Sequence, residues 1–469
     1  MKQDLLRKLP SIDELMSLPG IARLVGEHDR DLVVSAARGV VEGLRARIKA
    51  SDQPEALASE ITPEGITERV VAAVEAKFRP SMRYAVNAAG IILHTGLGRA
   101  LMPEQVADAV REAIRGYCTL ATDIETGQRG SRDVHYADLL RELTGAEAAT
   151  VANNNAAATM LILNTLAKGK EVIVSRGQLV EIGGSFRMPE VMETSGAVLR
   201  EVGATNKTHL RDYVSAINEN TGAILHVHTS NYRIVGFFEE PGIEELARVA
   251  HEHNLPVIDD LGSGALVDLS QYGLEPEPMV RDSIAAGADV VCFSGDKLIG
   301  GPQAGIMVGK AEVIKAIKKN PLARALRIGK MEVAALEASL RMFLDPGKLN
   351  ERHPTYRMLS MTVDEIDARA QAVANGLSGP LGGRAEVVVI GGSSQVGSGS
   401  VPAEMLPTRL LSVRPSSLSA DALAKALRRH EPPVFARIHQ DAVLFDFRTI
   451  QPGEEEIVAR ALTSALGEH

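Results

Sequence analysis

The chain has 469 residues, 45% of them hydrophobic and 24% charged, with a formal net charge of −9. That balance excludes a disordered or low-complexity chain, and the negative net charge excludes global attraction to nucleic acid, so an RNA partner would have to be held by a local patch. The two cysteines, Cys118 and Cys292, fit no paired metal or redox spacing, so neither a disulfide nor a metal site is expected.

The opening segment, "MKQDLLRKLPSIDELMSLPG", interleaves charges with its leucines. No later run reaches the ~20 apolar residues of a membrane span, and a cytoplasmic protein is expected. Residues 1–80 read as a helical unit punctuated by Pro10, Pro19, Pro54 and Pro63, with no strand signal. Within it the spacing predicts a helix from Asp31 to Ala50. Val33, Ala37, Val40, Val41, Leu44 and Ile48 form its apolar stripe, and Arg38, Arg45 and Lys49 align on an adjacent face.

From 81 to 345 the pattern changes to short β-branched runs separated by amphipathic segments of helix length. The strand candidates are "AATVA", "EVIVS", "AVLREV", "AILHVH", "PVIDD", "DVVCFS" and "GIMVG". Such runs predict an α/β domain with a mostly parallel sheet covered on both faces. Residues 346–469 read as a smaller α+β domain, with strands in "AEVVVI" and "RLLSV", a hairpin in "VFARIHQDAVLFDF" and a helix capped by Ser419.

The central strands end on polar groups: "TVANNNAAA", "VIVSRGQ", "HVHTSN", "VIDDLGSG" and "CFSGDK". In a parallel sheet those ends form one edge, where ligands bind. Asn153, Asn154 and Asn155 precede the helix-forming Ala156, Ala157 and Ala158, so free amides there are suited to a phosphate. Asp259 or Asp260 ends one strand and Lys297 follows another. A phosphate cradle, a carboxylate and a lysine amine are the contacts that pyridoxal 5'-phosphate (PLP) needs. Taken singly, each has an ordinary explanation as a turn, a helix cap or a solvated charge; the combination points to PLP. "GSGAL" lacks the third glycine of a dinucleotide fingerprint, and no GxxxxGK[ST] loop occurs. Gly300 and Gly301 suit either close backbone approach or an ordinary turn. Asn320 and Pro321 predict a helix start that places Arg324 and Arg327 one turn apart on one face. Cys292 falls inside a strand, against a persulfide carrier, and Cys118 reads as a buried small apolar residue.

The stretches "HTGLGRA", "DIETGQRGSR", "NNNAAA", "SRGQLVEIGGSFRMPEVM", "EVGATNKTH", "VHTSNYRIVGF", "DLGSGALVDL" and "SGDKLIGGPQAGI", in this order, resemble the bacterial selenocysteine synthase family. The resemblance runs nearly end to end. It implies a fold type I (aspartate aminotransferase-like) PLP enzyme that assembles as a homodecamer. It also implies Lys297 as the Schiff-base lysine and Asp260, from "DLGSG", as the partner of the pyridine nitrogen. The implied reaction converts seryl-tRNA(Sec) to selenocysteinyl-tRNA(Sec) by β-elimination to aminoacrylyl-tRNA and addition of selenium from selenophosphate. Arg99, Arg324 and Arg327 would hold selenophosphate, and the amino-terminal unit would recognise tRNA(Sec). Gly96 departs from the family's "HTNLGR". Other classes stay open: a PLP-dependent lyase acting on a small amino-sugar phosphate or amino acid, an aminotransferase using Arg437 for a free carboxylate, and an RNA-binding scaffold.

Overall fold

A computed structural model describes residues 2–183 and 186–467, and the chain forms two compact units, Met1–Tyr84 and Ala85–His469. In the first, prolines open three of the helical segments: Pro19–Glu27, Pro54–Ile61 and Pro63–Phe78. Proline suits that place because its missing N–H is not needed there. The long helix runs Arg30–Ala50, its start capped by Asp29, whose side chain accepts from the Asp31 and Leu32 amides. The expected stripe, Val40 apart, is buried, and it packs with Leu15, Ile21, Ile66, Val70 and Val74 into one core. Arg47 clamps the helix to Glu60 at 2.5 Å.

In the second unit the seven strand candidates all become strands of one sheet: β1 (Ala148–Ala152), β2 (Glu171–Ser175), β3 (Val198–Val202), β4 (Thr221–Val227), β5 (Val257–Gly262), β6 (Val290–Ser294) and β7 (Gly305–Gly309). Their spatial order is β1-β7-β6-β5-β4-β2-β3. β7 runs antiparallel to both neighbours and the other pairings are parallel. Separate apolar clusters cover the two faces, around Phe293 and Leu336 on one and around Leu161 and Ile314 on the other. Burial on both faces is why these strands read as continuous apolar runs.

The carboxy-terminal sheet is built from Ala385–Gly397, Ser400–Pro415, Val434–His439 and Ala442–Asp446. Ser419 caps the helix Ala420–Arg429 by accepting from the Ala422 amide. This sheet also takes a strand from the segment expected to open the large domain: Val86–Ala88 pairs in parallel with Val434–Ala436. Three residues carry no periodicity, so only the pairing reveals them. Among the described residues, no helix is long and apolar enough to cross a membrane.

Candidate active site

The carboxyl ends of β4, β5 and β6 and the start of the helix Asn155–Leu166 enclose a cavity of about 490 Å³ lined by Lys297, Asp260, Asn154, Asn155, Ala156 and Arg99 among others. Lys297 follows β6 by three residues and is only 6% exposed. Burial pushes its amine below the ordinary lysine range and the Arg99 cation adds to the effect, against Asp260, Asp296 and Glu277. The glycines that follow serve packing. Gly300 has φ +64°, and a Cβ there would meet the His353 ring at 2.1 Å.

Asp260 lies on β5 beside Cys292 of β6. Its Oδ1 accepts from Asn155 Nδ2 at 2.8 Å and its Oδ2 from Thr159 Oγ1 at 2.9 Å. Burial raises its pKa, and the hydrogen bonds from Asn155 and Thr159, with Lys297, oppose that rise. Asp259 does not line the cavity, because successive strand side chains alternate faces. It binds His226 Nδ1 at 2.7 Å instead. The geometry therefore separates the two aspartates that the sequence left open.

Asn154 caps its helix by accepting from the Ala157 amide at 2.8 Å. This leaves the Asn155 and Ala156 amides, at the start of a helix, at the cavity, a position suited to an anion. Asn155 Oδ1 and Ser230 Oγ are buried without a hydrogen-bond partner among the described residues. Gly262, at φ +66°, leaves the floor flat: a Cβ there would lie 3.6 Å from Ser230 Oγ and 3.8 Å from Lys297 Nζ. Orphaned polar atoms beside a cradle that a single methyl would narrow fit a flat, polar, phosphate-bearing group.

Several residues that line the cavity, and Thr159, which bonds Asp260 without lining it, were not singled out from sequence. His228 and Ser230 stand in the quoted strand end "HVHTSN", a signal that was available. Ser398 and Gly399 form the tip of the hairpin made by Ala385–Gly397 and Ser400–Pro415, and nothing near Lys297 in sequence marks them. Thr159 lies in the first turns of a helix that reads as apolar.

The three arginines expected to hold selenophosphate do not meet in one cavity of the chain. Arg99, at φ +63°, lines the lysine cavity and donates to Asp296 at 2.5 Å. Arg324 and Arg327 line a different one. Asn320 does start a helix, accepting from the Leu322 amide at 3.0 Å. That helix is Pro321–Ala325, so it ends before Arg327 and the shared helical face is not formed. Arg38, Arg45 and Lys49 are exposed on their helix with no carboxylate paired to them among the described residues. Arg437 donates to the Ser393 carbonyl at 3.1 Å and approaches Asp446 at 3.5 Å, and it does not line the lysine cavity. Cys118, expected to be buried, is exposed, because it lies in an irregular segment beyond the helix Glu104–Ile114; Cys292 is buried in β6.

Residues 85–451 match the family model described as L-seryl-tRNA selenium transferase, and residues 6–45 match that of the selenocysteine synthase N terminal region. The L-seryl-tRNA(Sec) selenium transferase of Solidesulfovibrio magneticus is 49% identical, over 99% of this chain and 98% of its own. That of Alkaliphilus metalliredigens is 46% identical, over 98% of each. Among solved structures, D-glucosaminate-6-phosphate ammonia-lyase superposes with a TM-score of 0.57 at 22% identity, covering 82% of this chain and 96% of its own. That likeness concerns the fold, which is fold type I of the PLP enzymes.

Proposed function

The chain belongs to the L-seryl-tRNA selenium transferase family, and from that membership we propose how its residues carry the reaction. The enzyme converts seryl-tRNA(Sec) to selenocysteinyl-tRNA(Sec) with PLP as cofactor. PLP, when bound, supplies an electron sink for the pair left at the seryl Cα. The observation that carries the assignment of roles is the convergence of Lys297, Asp260 and the helix start at Asn155 on one cavity.

In this reading Lys297 would hold the cofactor, and its amine, once free, removes the Cα proton. Burial and Arg99 depress its pKa, which supports the role because a base must be neutral to accept a proton. Asp260 would face the ring nitrogen of the bound cofactor, and Asn155 and Thr159 favour its ionised form. Asn154 sets the helix start, and the amides of Asn155 and Ala156 would receive the cofactor's phosphate. The substrate loses its Cα proton and its Cβ hydroxide, net water. The selenium of selenophosphate then bonds to Cβ as a proton returns to Cα, water cleaves the P–Se bond and phosphate leaves, and Lys297 is the group placed to return the Cα proton.

Selenophosphate is the selenium donor in this reading, held by Arg99, Arg324 and Arg327. The placement of the last two in a separate basic cavity supports an anion-binding role without joining them to Lys297 in one chain. Residues 1–80 recognise tRNA(Sec), with Arg38, Arg45 and Lys49 as unpaired phosphate contacts; residues 81–345 bind PLP, and 346–469 form the smaller domain. A homodecamer in the cytoplasm completes the reading. The small-molecule lyase alternative has only a likeness of fold in its favour, whereas relatives over nearly the full chain act on seryl-tRNA(Sec) by name. The test supplies purified protein with PLP, seryl-tRNA(Sec) and selenophosphate. Selenocysteinyl-tRNA(Sec) is the expected product, and turnover of amino-sugar phosphates without it would overturn the reading.

A further inference from the structure

A second cavity, of about 260 Å³, is lined by Arg129, Arg132, Lys318, Arg324 and Arg327 against a single carboxylate, Asp133. That carboxylate is already engaged: Lys318 Nζ lies 2.5 Å from its Oδ2, and the Tyr136 hydroxyl donates to its Oδ1 at 2.5 Å. Arg132 is fixed by a hydrogen bond to the Ile328 carbonyl. Its pKa is lowered by burial and further by the neighbouring cations Arg327 and Arg129. Arg129, Arg324 and Arg327 have no carboxylate paired to them among the described residues. Four guanidiniums thus gather around one space with no local counter-charge to spare, an arrangement that repels itself unless an anion enters. Guanidinium forks match tetrahedral oxyanions through paired N–H donors. Ser131 and Thr150 add small polar groups to the wall. Arg129 and Arg132 come from "DIETGQRGSR", a motif to which none of the roles above gives a task.

We propose that this cavity is a binding site for a tetrahedral, phosphate-class oxyanion, in which Arg129 and Arg132 act together with Arg324 and Arg327. The inference deepens the role given above to Arg324 and Arg327 and rests on it. The oxyanion has two chemical sources, the free selenium donor and a phosphodiester of the tRNA, and the same contacts suit either.

Calorimetric titration of the PLP-loaded, full-length protein with inorganic phosphate tests the site, because the cofactor's own phosphate then occupies the lysine cavity. Arg129→Gln, Arg132→Lys and Arg324→Gln are each expected to weaken phosphate binding about tenfold, the loss of one charge-assisted hydrogen bond. PLP content and thermal melting should stay at the wild-type level, and Arg129→Gln, which removes an exposed side chain, guards against misfolding of the Arg132 variant. If the donor is the source, KM for selenophosphate rises in the same variants while tRNA affinity is unchanged. If the RNA is the source, tRNA affinity falls with a shallower salt dependence. Weakened binding in Arg324→Gln with none in Arg129→Gln and Arg132→Lys would overturn the four-arginine site and leave the role of Arg324 standing. No weakening in any of the three would overturn both.

Discussion

Thr159 is the residue whose replacement tests the site most sharply. Its hydroxyl has one proton and two oxygen acceptors in reach, the Asn155 carbonyl at 3.0 Å and Asp260 Oδ2 at 2.9 Å, with Cys292 Sγ further off at 3.6 Å. Valine keeps the shape and removes the donor. A buried hydrogen bond to a charged group is worth about 1.5–3 kcal/mol, and a loss of about 2 kcal/mol corresponds to about 30-fold. Burial already raises the Asp260 pKa, and losing the hydroxyl raises it further. If PLP binds through the Asp260 carboxylate, Thr159→Val must spend that difference wherever the apoprotein holds Asp260 protonated. The affinity defect relative to wild type should therefore grow to about 30-fold as pH falls and close as pH rises above the variant's pKa. At high pH the carboxylate is ionised with and without cofactor, so the lost bond cancels. Absorbance titration of apoprotein with PLP across pH gives the ratio, in which the cofactor's own titrations drop out. Thr159→Ser should restore wild-type behaviour. A defect of equal size at every pH, or one that serine fails to rescue, would reduce Thr159 to a packing role and refute the reasoning.

The other predictions concern neighbouring groups. Lys297→Ala should fold and still take up PLP weakly, but borohydride should no longer fix the cofactor to the chain; covalent fixation elsewhere would displace Lys297 from its role. Asp260→Asn should abolish loss of the seryl hydroxide in a single-turnover assay. Asp259→Asn, whose partner is His226, should retain most of that activity per bound PLP, and the reverse result would exchange the two aspartates. Arg99→Gln removes a cation that depresses the Lys297 pKa, so the free amine should become neutral only at higher pH. The rising limb of the pH–rate profile for hydroxide loss should then move to higher pH, and an unmoved limb would contradict the assignment of the base. A protein starting at Ala85 should keep PLP but lose tRNA(Sec) affinity, and Arg45→Glu should weaken binding with a shallower salt slope. Undiminished binding by the shortened protein would end the recognition role of the first unit.

What the sequence reveals here is set by how far each feature depends on distant pairing. The seven strands of the central sheet are legible because burial on both faces makes each a continuous apolar run, and their polar ends already name Asn154, the pair Asp259 and Asp260, and Lys297. The choice between Asp259 and Asp260 needs the register of β5, since both are buried and only alternation sends one of them to the cavity. Val86–Ala88 and the tip at Ser398 and Gly399 are invisible for the same reason: each takes its place from a partner hundreds of residues away or from another sheet. Arg327 fails as a helical neighbour of Arg324 because the helix closes at Leu326, whose amide bonds the Leu322 carbonyl at 2.9 Å, a termination that no proline or glycine announces.

The hairpin tip carries a consequence for how the enzyme matures. Ile92 and Leu93, just before the "HTGLGRA" loop, bond through their amides to the Gln395 and Val396 carbonyls at 2.9 and 2.8 Å, and Ser398 Oγ donates to the Leu93 carbonyl at 2.5 Å. The wall beside Lys297 is thus stitched from chain made early and chain made late. A nascent protein released before residue 400 would own the lysine, the aspartate and the helix start and still present an unfinished chamber, so cofactor capture is expected to require the completed carboxy-terminal sheet. Limited proteolysis of the tip in the folded protein should then release PLP without cutting any strand of the central sheet.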